Sequence, residues 1–231
     1  MPWEFPDPRT ATEDGIVAIG GDMRPEILIT AYSQGIFPWP IEGVPVLTWF
    51  CPAKRAILKF SNLHVARSLR QAQKKTKFTF TIDQAFSEVI AECATAKRGD
   101  WGAPGAELPS TWITPALKKA YIQFHKERAP GRGAHSVEVW DGKELVGGVY
   151  GVEVDGVFSA ESMFFHKSNA SKLALLHLVE HLRSRGAEWM DIQVMSKHMR
   201  ALGATELSRE RFLKLLSDTQ NTALKLFDSY G

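Results

Sequence analysis

Cysteine is scarce in this chain of 231 residues, with Cys51 and Cys93 the only two. A pair so widely separated gives neither a disulfide framework nor a zinc knuckle, so both are expected as buried thiols. Long apolar runs are also missing. Nothing in the sequence approaches the roughly 18 residues of a membrane-spanning helix. The opening Met1-Pro2-Trp3-Glu4 lacks the charged-then-apolar order of a secretory leader, so a cytosolic protein without a membrane partner is expected. There is no internal repeat, no low-complexity segment and no G-x-S-x-G nucleophile elbow. A hydrophobic content of 44% and a charged content of 23% place the chain among ordinary globular proteins and argue against disorder.

One absence is local. Between Gly43 and Ile82 there is no Asp or Glu, while Lys54, Arg55, Lys59, Arg67, Arg70, Lys74, Lys75 and Lys77 all lie there. The formal net charge is only +2, so the rest of the chain is net negative. Solubility alone favours interspersed signs, and an acid-free block points to a polyanion such as a nucleic-acid backbone. Leu63 to Lys75 has helical spacing, with Leu63, Ala66 and Leu69 toward a core and Arg67, Arg70 and Lys74 forming one basic stripe.

The chain divides near residue 62. Residues 1–62 are rich in Pro, Gly and Trp, and Pro25 to Ser33 reads as a helix capped by Asp22. Residues 63–231 alternate helices (63–75, 83–96, 115–128, 170–185, 209–217) with strands (78–82, 134–140, 144–153, 156–165, 189–194). Asp141-Gly142 and Asp155-Gly156 between apolar runs predict an antiparallel meander of three strands, followed by a helix and a parallel final strand. Gly99 to Ser110 reads as an exposed loop.

Polar residues stand where the strands of this crossover should be apolar. Glu161 lies mid-strand among aromatics. In Trp189-Met190-Asp191-Ile192-Gln193-Val194, alternation puts Asp191 and Gln193 on one face and Met190, Ile192 and Val194 on the other. Buried strands rarely carry such residues without a catalytic or ion-pairing reason.

Two suggestive strings fail on context. His177-Leu178-Val179-Glu180-His181 has the H-x-x-E-H spacing of a zinc peptidase, but the helix buries Leu175, Leu178, Val179 and Leu182 and turns its histidines outward. No metal is expected. Arg128-Ala129-Pro130-Gly131-Arg132-Gly133 has the R-x-x-G-x-G pattern that cradles the pyrophosphate of acetyl-coenzyme A, yet it joins a helix to a strand. The cradle requires a strand leading into a helix N-terminus. There, between Phe165 and Ala170, the sequence has no glycine.

Nine strings in one order carry a resemblance: Gly20-Gly21-Asp22, Ala31-Tyr32-Ser33-Gln34-Gly35-Ile36-Phe37-Pro38-Trp39, Trp49-Phe50-Cys51-Pro52, Thr111-Trp112-Ile113, Ala134-His135-Ser136-Val137-Glu138, Leu145-Val146-Gly147-Gly148-Val149-Tyr150-Gly151, Glu161-Ser162-Met163-Phe164, Ala170-Ser171-Lys172 and Asp191-Ile192-Gln193. Over nearly its whole length the chain resembles the bacterial leucyl/phenylalanyl-tRNA-protein transferases. The resemblance implies an α/β (α+β) fold, with a small N-terminal domain (1–62) and an acetyltransferase-like, GNAT-like domain (63–231). It implies transfer of Leu, Phe and, less well, Met from Leu-tRNA, Phe-tRNA and Met-tRNA to proteins beginning with Lys or Arg. The product's new N-terminus marks it for proteolysis. No cofactor is implied, aminoacyl-tRNA being a substrate, and a monomer is expected.

The implied roles fall on named residues. Gln193 cannot titrate and orients the amine or the ester carbonyl; Asp191 polarises Gln193 and attracts the cationic acceptor; Glu161 holds the donor's α-amino group, with a proton-shuttle role open. The aminoacyl pocket is placed at Val149, Phe158, Met163, Leu175, Leu178 and Met190, the 3′-adenosine on Trp49 and Trp112, and the tRNA backbone on Arg67, Arg70, Lys74, Lys75 and Lys77. Ala160 replaces the family's usual Gly, and Val149 a larger residue, which bears on substrate preference. A coenzyme-A-dependent N-acyltransferase and a non-catalytic RNA-binding module are the alternatives.

Overall fold

The computed structural model describes residues 4–41, 44–96 and 112–228. The expected loop from Gly99 to Ser110 lies outside them. The first elements are β1 (Ile16–Ile19), α1 (Pro25–Ser33), β2 (Phe37–Pro38) and β3 (Thr48–Phe50), and the three strands form a sheet in the order β1-β3-β2. Pro25 at the first turn presets the helical φ of α1. The cap differs from expectation. Arg24 is the N-cap residue, and Asp22 instead accepts from the Arg24 backbone amide at 3.0 Å.

Next come β4 (Lys54–Lys59), α2 (Arg67–Lys75), β5 (Thr79–Ile82), α3 (Phe86–Thr95) and α4 (Pro115–Lys126). The meander follows as β6 (Arg132–Asp141), β7 (Glu144–Val154) and β8 (Val157–Phe165). The chain continues through α5 (Ala170–Ser184), β9 (Trp189–Gln193), α6 (Lys197–Ala201), β10 (Thr205–Ser208) and α7 (Arg209–Gln220). Seven strands make one mixed sheet in the order β10-β4-β9-β8-β7-β6-β5, in which only β8 and β9 pair parallel. Both Asp-Gly turns and the parallel crossover are as expected. The sequence pattern predicts neither β4 nor β10, and β4, which precedes residue 62, sits inside the large sheet.

Alternation along the strands divides the core into two layers. Ile57, Tyr150, Val152 and Trp189 pack with α1, α3, α4 and α7 on one face. Ala56, Leu58, Val149, Phe158, Met190 and Ile192 pack with α5 on the other. Helix α2 starts at Arg67 and not at Leu63. Ala66, its N-cap, is exposed, and Leu69 anchors the helix on Leu173 and Leu176 of α5. Both cysteines are buried.

The R-x-x-G-x-G string turns from α4 into β6. A Cβ on Gly133 would lie 2.3 Å from Arg128 Cβ, so this glycine lets Arg128 reach Asp83 at 3.5 Å. Asp83 also accepts from His135 Nδ1 at 2.7 Å. His135 Nε2 lies 3.8 Å from Glu153, a carboxyl that burial pushes up to about 7. The folded state therefore holds this proton more tightly than the unfolded chain. Stability from this group is full below about 4.5 and is lost as pH rises through about 7. Glu153→Gln, which keeps an oxygen for the Leu226 amide, is expected to raise the Tm at pH 8 more than at pH 5 in paired thermal melts.

Candidate active site

Strand β8 carries a bulge. Its register with β7 shifts between Tyr150/Ser162 and Gly151/Ala160, leaving Glu161 without an opposite residue. Bulges re-aim a side chain, and this one turns a carboxyl inward. The kink needs Gly151, because a Cβ there would meet Ser159 O at 2.3 Å. Across the sheet, β8 and β9 pair only at Ser159 and Asp191. Beyond that pair the strands part.

The fork opens a cavity of about 900 Å³. Glu161, Met163 and Phe165 line one side, Ile192, Val194 and His198 the other, and Lys172 and Leu175 of α5 close one end. Glu161 and Gln193 meet at the fork, where Gln193 Nε2 donates to Glu161 Oε1 at 2.6 Å. Tyr32 donates to the same oxygen at 2.7 Å. With its one proton so used, Tyr32 accepts from Tyr121 at 2.5 Å. Glu161 Oε2 is buried with no partner among the described residues. Burial pushes the Glu161 carboxyl up to about 7, against the opposing effect of the Tyr32 hydrogen bond. Burial and the nearby carboxylate keep both tyrosines protonated.

Asp191 points the other way. Arg55 clasps it through Nε at 2.8 Å and Nη2 at 2.6 Å, both side chains being 1% exposed. Its oxygens also accept from the Gln193 amide at 2.9 Å and the Ser159 hydroxyl at 3.1 Å. Gln193 itself has φ +60, a left-handed conformation that costs a non-glycine residue of order 1 kcal/mol.

The three polar residues of the crossover are thus brought together, but with other duties than expected for one of them. Asp191 is ion-paired with Arg55, buried, and not among the residues lining the cavity, a placement that speaks against its expected role of attracting a cationic acceptor. Of the pocket residues, Val149, Met163 and Leu175 line the cavity, whereas Phe158, Leu178 and Met190 are buried in the layer behind it. Trp49 is fully buried, its Nε1 donating to Gly20 O and its ring edge-on to Phe5 at 4.8 Å. It has no face to offer a base. Trp112 instead stacks on Trp39, with ring centroids 5.4 Å apart and planes 7° from parallel.

Arg67, Arg70, Lys74, Lys75 and Lys77 are all exposed. Arg55, counted with the same basic block, is not. Its presence beside the apolar run Ala56-Ile57-Leu58 was the available signal of a buried cation. Tyr32 and Tyr121 gave no such signal, as each sits on a helix whose neighbours are apolar. Of the two outward histidines of α5, His177 stacks on Phe80 and His181 bonds Leu226 O.

A buried carboxyl whose pKa burial raises, joined to an amide beside an open cavity, marks a candidate active site in this mixed α/β protein. Comparison with known proteins gives the family. A protein-family model described as leucyl/phenylalanyl-tRNA protein transferase matches residues 57–217, and one for the N-terminal domain of the same proteins matches residues 21–53. The leucyl/phenylalanyl-tRNA–protein transferase of Desulfatibacillum aliphaticivorans is 45% identical over 93% of this chain and 87% of its own length. That of Syntrophobacter fumaroxidans is 44% identical over 93% and 86%. The chain belongs to the leucyl/phenylalanyl-tRNA–protein transferase family. Among solved structures, a functionally unknown conserved protein from Staphylococcus epidermidis ATCC 12228 matches with a TM-score of 0.41 and 8% identity, covering 84% of this chain and 68% of its own. So low a score carries no fold argument.

Proposed function

We propose that this chain transfers Leu, Phe and, less well, Met from aminoacyl-tRNA to the N-terminal α-amine of proteins beginning with Lys or Arg, marking them for proteolysis. The hydrogen bond joining Glu161 to Gln193 at the fork of β8 and β9 carries the reading. We read the large sheet as an acetyltransferase-like domain without its coenzyme loop, and the β1-β3-β2 sheet as a small N-terminal domain. The pairing of β4 with β9 supports drawing the boundary before Lys54.

The reaction is aminolysis of an ester. The acceptor nitrogen forms a bond to the carbonyl carbon, the bond from that carbon to the ribose oxygen breaks, and the proton shed by the amine ends on that oxygen. An N-terminal amine with a pKa of about 7.7 to 8.0 is partly neutral in the cell, so placement matters more than deprotonation. Gln193 cannot titrate. With its Nε2 committed to Glu161, its Oε1 is left to accept from the incoming amine. Glu161 Oε2 seats the donor's α-amino group and, titrating near neutrality, can hold a proton in transit.

Val149, Met163 and Leu175 form the inner wall for the aminoacyl side chain. Apolar shape discrimination is worth only about 1–3 kcal/mol per methylene, which agrees with modest promiscuity among Leu, Phe and Met. For the adenine we assign the Trp39–Trp112 stack in place of Trp49. Trp39→Ala is expected to weaken donor binding by about 1–3 kcal/mol, with a smaller loss of Tm than Trp49→Ala because Trp39 is only half-buried. Trp49→Ala should lower the Tm sharply through the cavity it leaves and affect donor binding little.

The exposed cations of α2 supply phosphate contacts. Arg70→Ala should weaken tRNA binding for every sequence alike and reduce the slope of log K against log salt by about 0.9 if one phosphate contact is lost. No helix among the described residues is long and apolar enough to cross a membrane. The decisive assay incubates the protein with radiolabelled Leu-tRNA and an Arg-initiated peptide. Tethered label on the peptide supports the reading; intact charged tRNA with no labelled peptide overturns it.

A further inference from the structure

We infer that Arg55, which does not line the cavity and stands outside the reacting groups, is the positioning residue that sets the geometry of Gln193 and the charge balance around Glu161. The inference rests on the aminoacyl-transfer reading of the site.

The argument starts from the strain at Gln193. A glutamine with φ +60 does not stay there unless its surroundings over-determine it. The restraint is the bond from its own amide to Asp191 Oδ1, 2.9 Å long, which closes the turn on the residue two positions back. Asp191 can hold that turn only if its carboxylate is itself fixed. Arg55 fixes it with two parallel bonds, the planar fork matched to the carboxylate.

Arg55 has no freedom of its own. Its guanidinium carbon lies 4.5 Å from the ring centroids of both Phe37 and Phe212, and Nη1 donates to Gly35 O at 3.1 Å. An aromatic on each face and a carbonyl at the edge leave one orientation for the fork. A lysine in this slot would keep the charge and lose the plane. The chain of placement therefore runs from the Phe37–Phe212 sandwich through Arg55 and Asp191 to the Gln193 backbone, and from there to the amide that meets Glu161.

The same pair is felt at Glu161. Among the described residues, Tyr32, Tyr121, Asp191 and Arg55 act on that carboxyl, with Asp191 raising its pKa and Arg55 lowering it, while Glu92, His166, Lys172, Lys197 and His198 line the same cavity. Removing either partner alone unbalances the site in opposite senses. This gives the inference a signature that mere loss of packing does not produce.

The test measures kcat for Leu transfer from Leu-tRNA to an Arg-initiated peptide against pH, well below the Tm of each variant, for wild type, Arg55→Met, Asp191→Asn and the Arg55→Met/Asp191→Asn double variant. Arg55→Lys is included in case Arg55→Met does not fold. Arg55→Met is expected to lose about a hundredfold in kcat, as a site residue displaced by about 1 Å does, with the Kd for Leu-tRNA changed less than about threefold. Its acid limb moves to higher pH. In Asp191→Asn the limb moves to lower pH, and in the double variant it returns toward the wild-type position. Arg55→Lys loses kcat with little movement of the limb. Wild-type kcat in folded Arg55→Met or Arg55→Lys, or limbs that shift in the same direction for both single variants, would overturn the inference. Absence of transfer by the wild-type protein would instead sink the transfer reading itself, so the two failures are distinct.

Discussion

Glu161→Gln is expected to lower kcat for aminoacyl transfer by about two to four orders of magnitude, the range for removal of a positioned acid–base group, and to leave the Kd for charged tRNA within about threefold. The variant keeps an oxygen for the Tyr32 and Gln193 bonds but loses the charge at Oε2, a buried carboxylate atom without a partner among the described residues. The effect should therefore fall on the reacting complex and not on tRNA docking. The pH profile sharpens the test. Burial holds the Glu161 carboxyl at about 7, so its ionised form, and the wild-type rate, build up as pH rises through that value. A second rise from the acceptor's own amine lies near about 7.7 to 8.0 and belongs to the substrate. Glu161→Gln should abolish the lower limb and retain the upper one. A variant that keeps both limbs at reduced height would show that Glu161 is not the titrating group.

The second large effect is on stability. Asp191→Ala is expected to cost about 3–5 kcal/mol, because it strands the Arg55 guanidinium, 1% exposed, without its counter-charge. Solvent does not screen a pair so deeply placed. The alanine also frees the Gln193 amide and the Ser159 hydroxyl, both donors to that carboxylate. Asp191→Asn keeps one oxygen for the Gln193 amide and should cost less. Urea or guanidinium melts of the three proteins give the comparison. A loss below about 1 kcal/mol for the alanine variant would mean that the pair is dispensable to the fold.

Much of the scaffold is legible in the sequence because its signals are local. The Asp-Gly turns at 141–142 and 155–156 lie between apolar runs and define the meander without reference to anything distant. Glu161 and Gln193 stand out for a similar reason, as polar residues in strands that should be apolar. What escapes is decided by partners remote in sequence. Lys54–Lys59 is a strand because β9 and β10 flank it, and neither lies within a hundred residues. Trp39 and Trp49 are alike as residue types in aromatic, proline-rich surroundings. Only the closure of Phe5 and Gly20 over Trp49 buries that ring, while Trp39 keeps Trp112 as a stacking partner. Arg55 was hidden differently: a basic neighbourhood made an inward-facing cation look like one more phosphate contact.

Arg55 and Asp191 are 136 positions apart in the chain. The hairpin from β7 to β8 can place Glu161 early through local pairing, but Gln193 takes up its strained conformation only once β4 has been brought against β9. Closing so long a loop is the slow part of folding a sheet like this one. The catalytic geometry at Gln193 is therefore expected to be completed only after β4 has docked on β9. In a refolding experiment, transfer activity is expected to lag behind the recovery of far-UV circular dichroism, making turnover a reporter of completed folding.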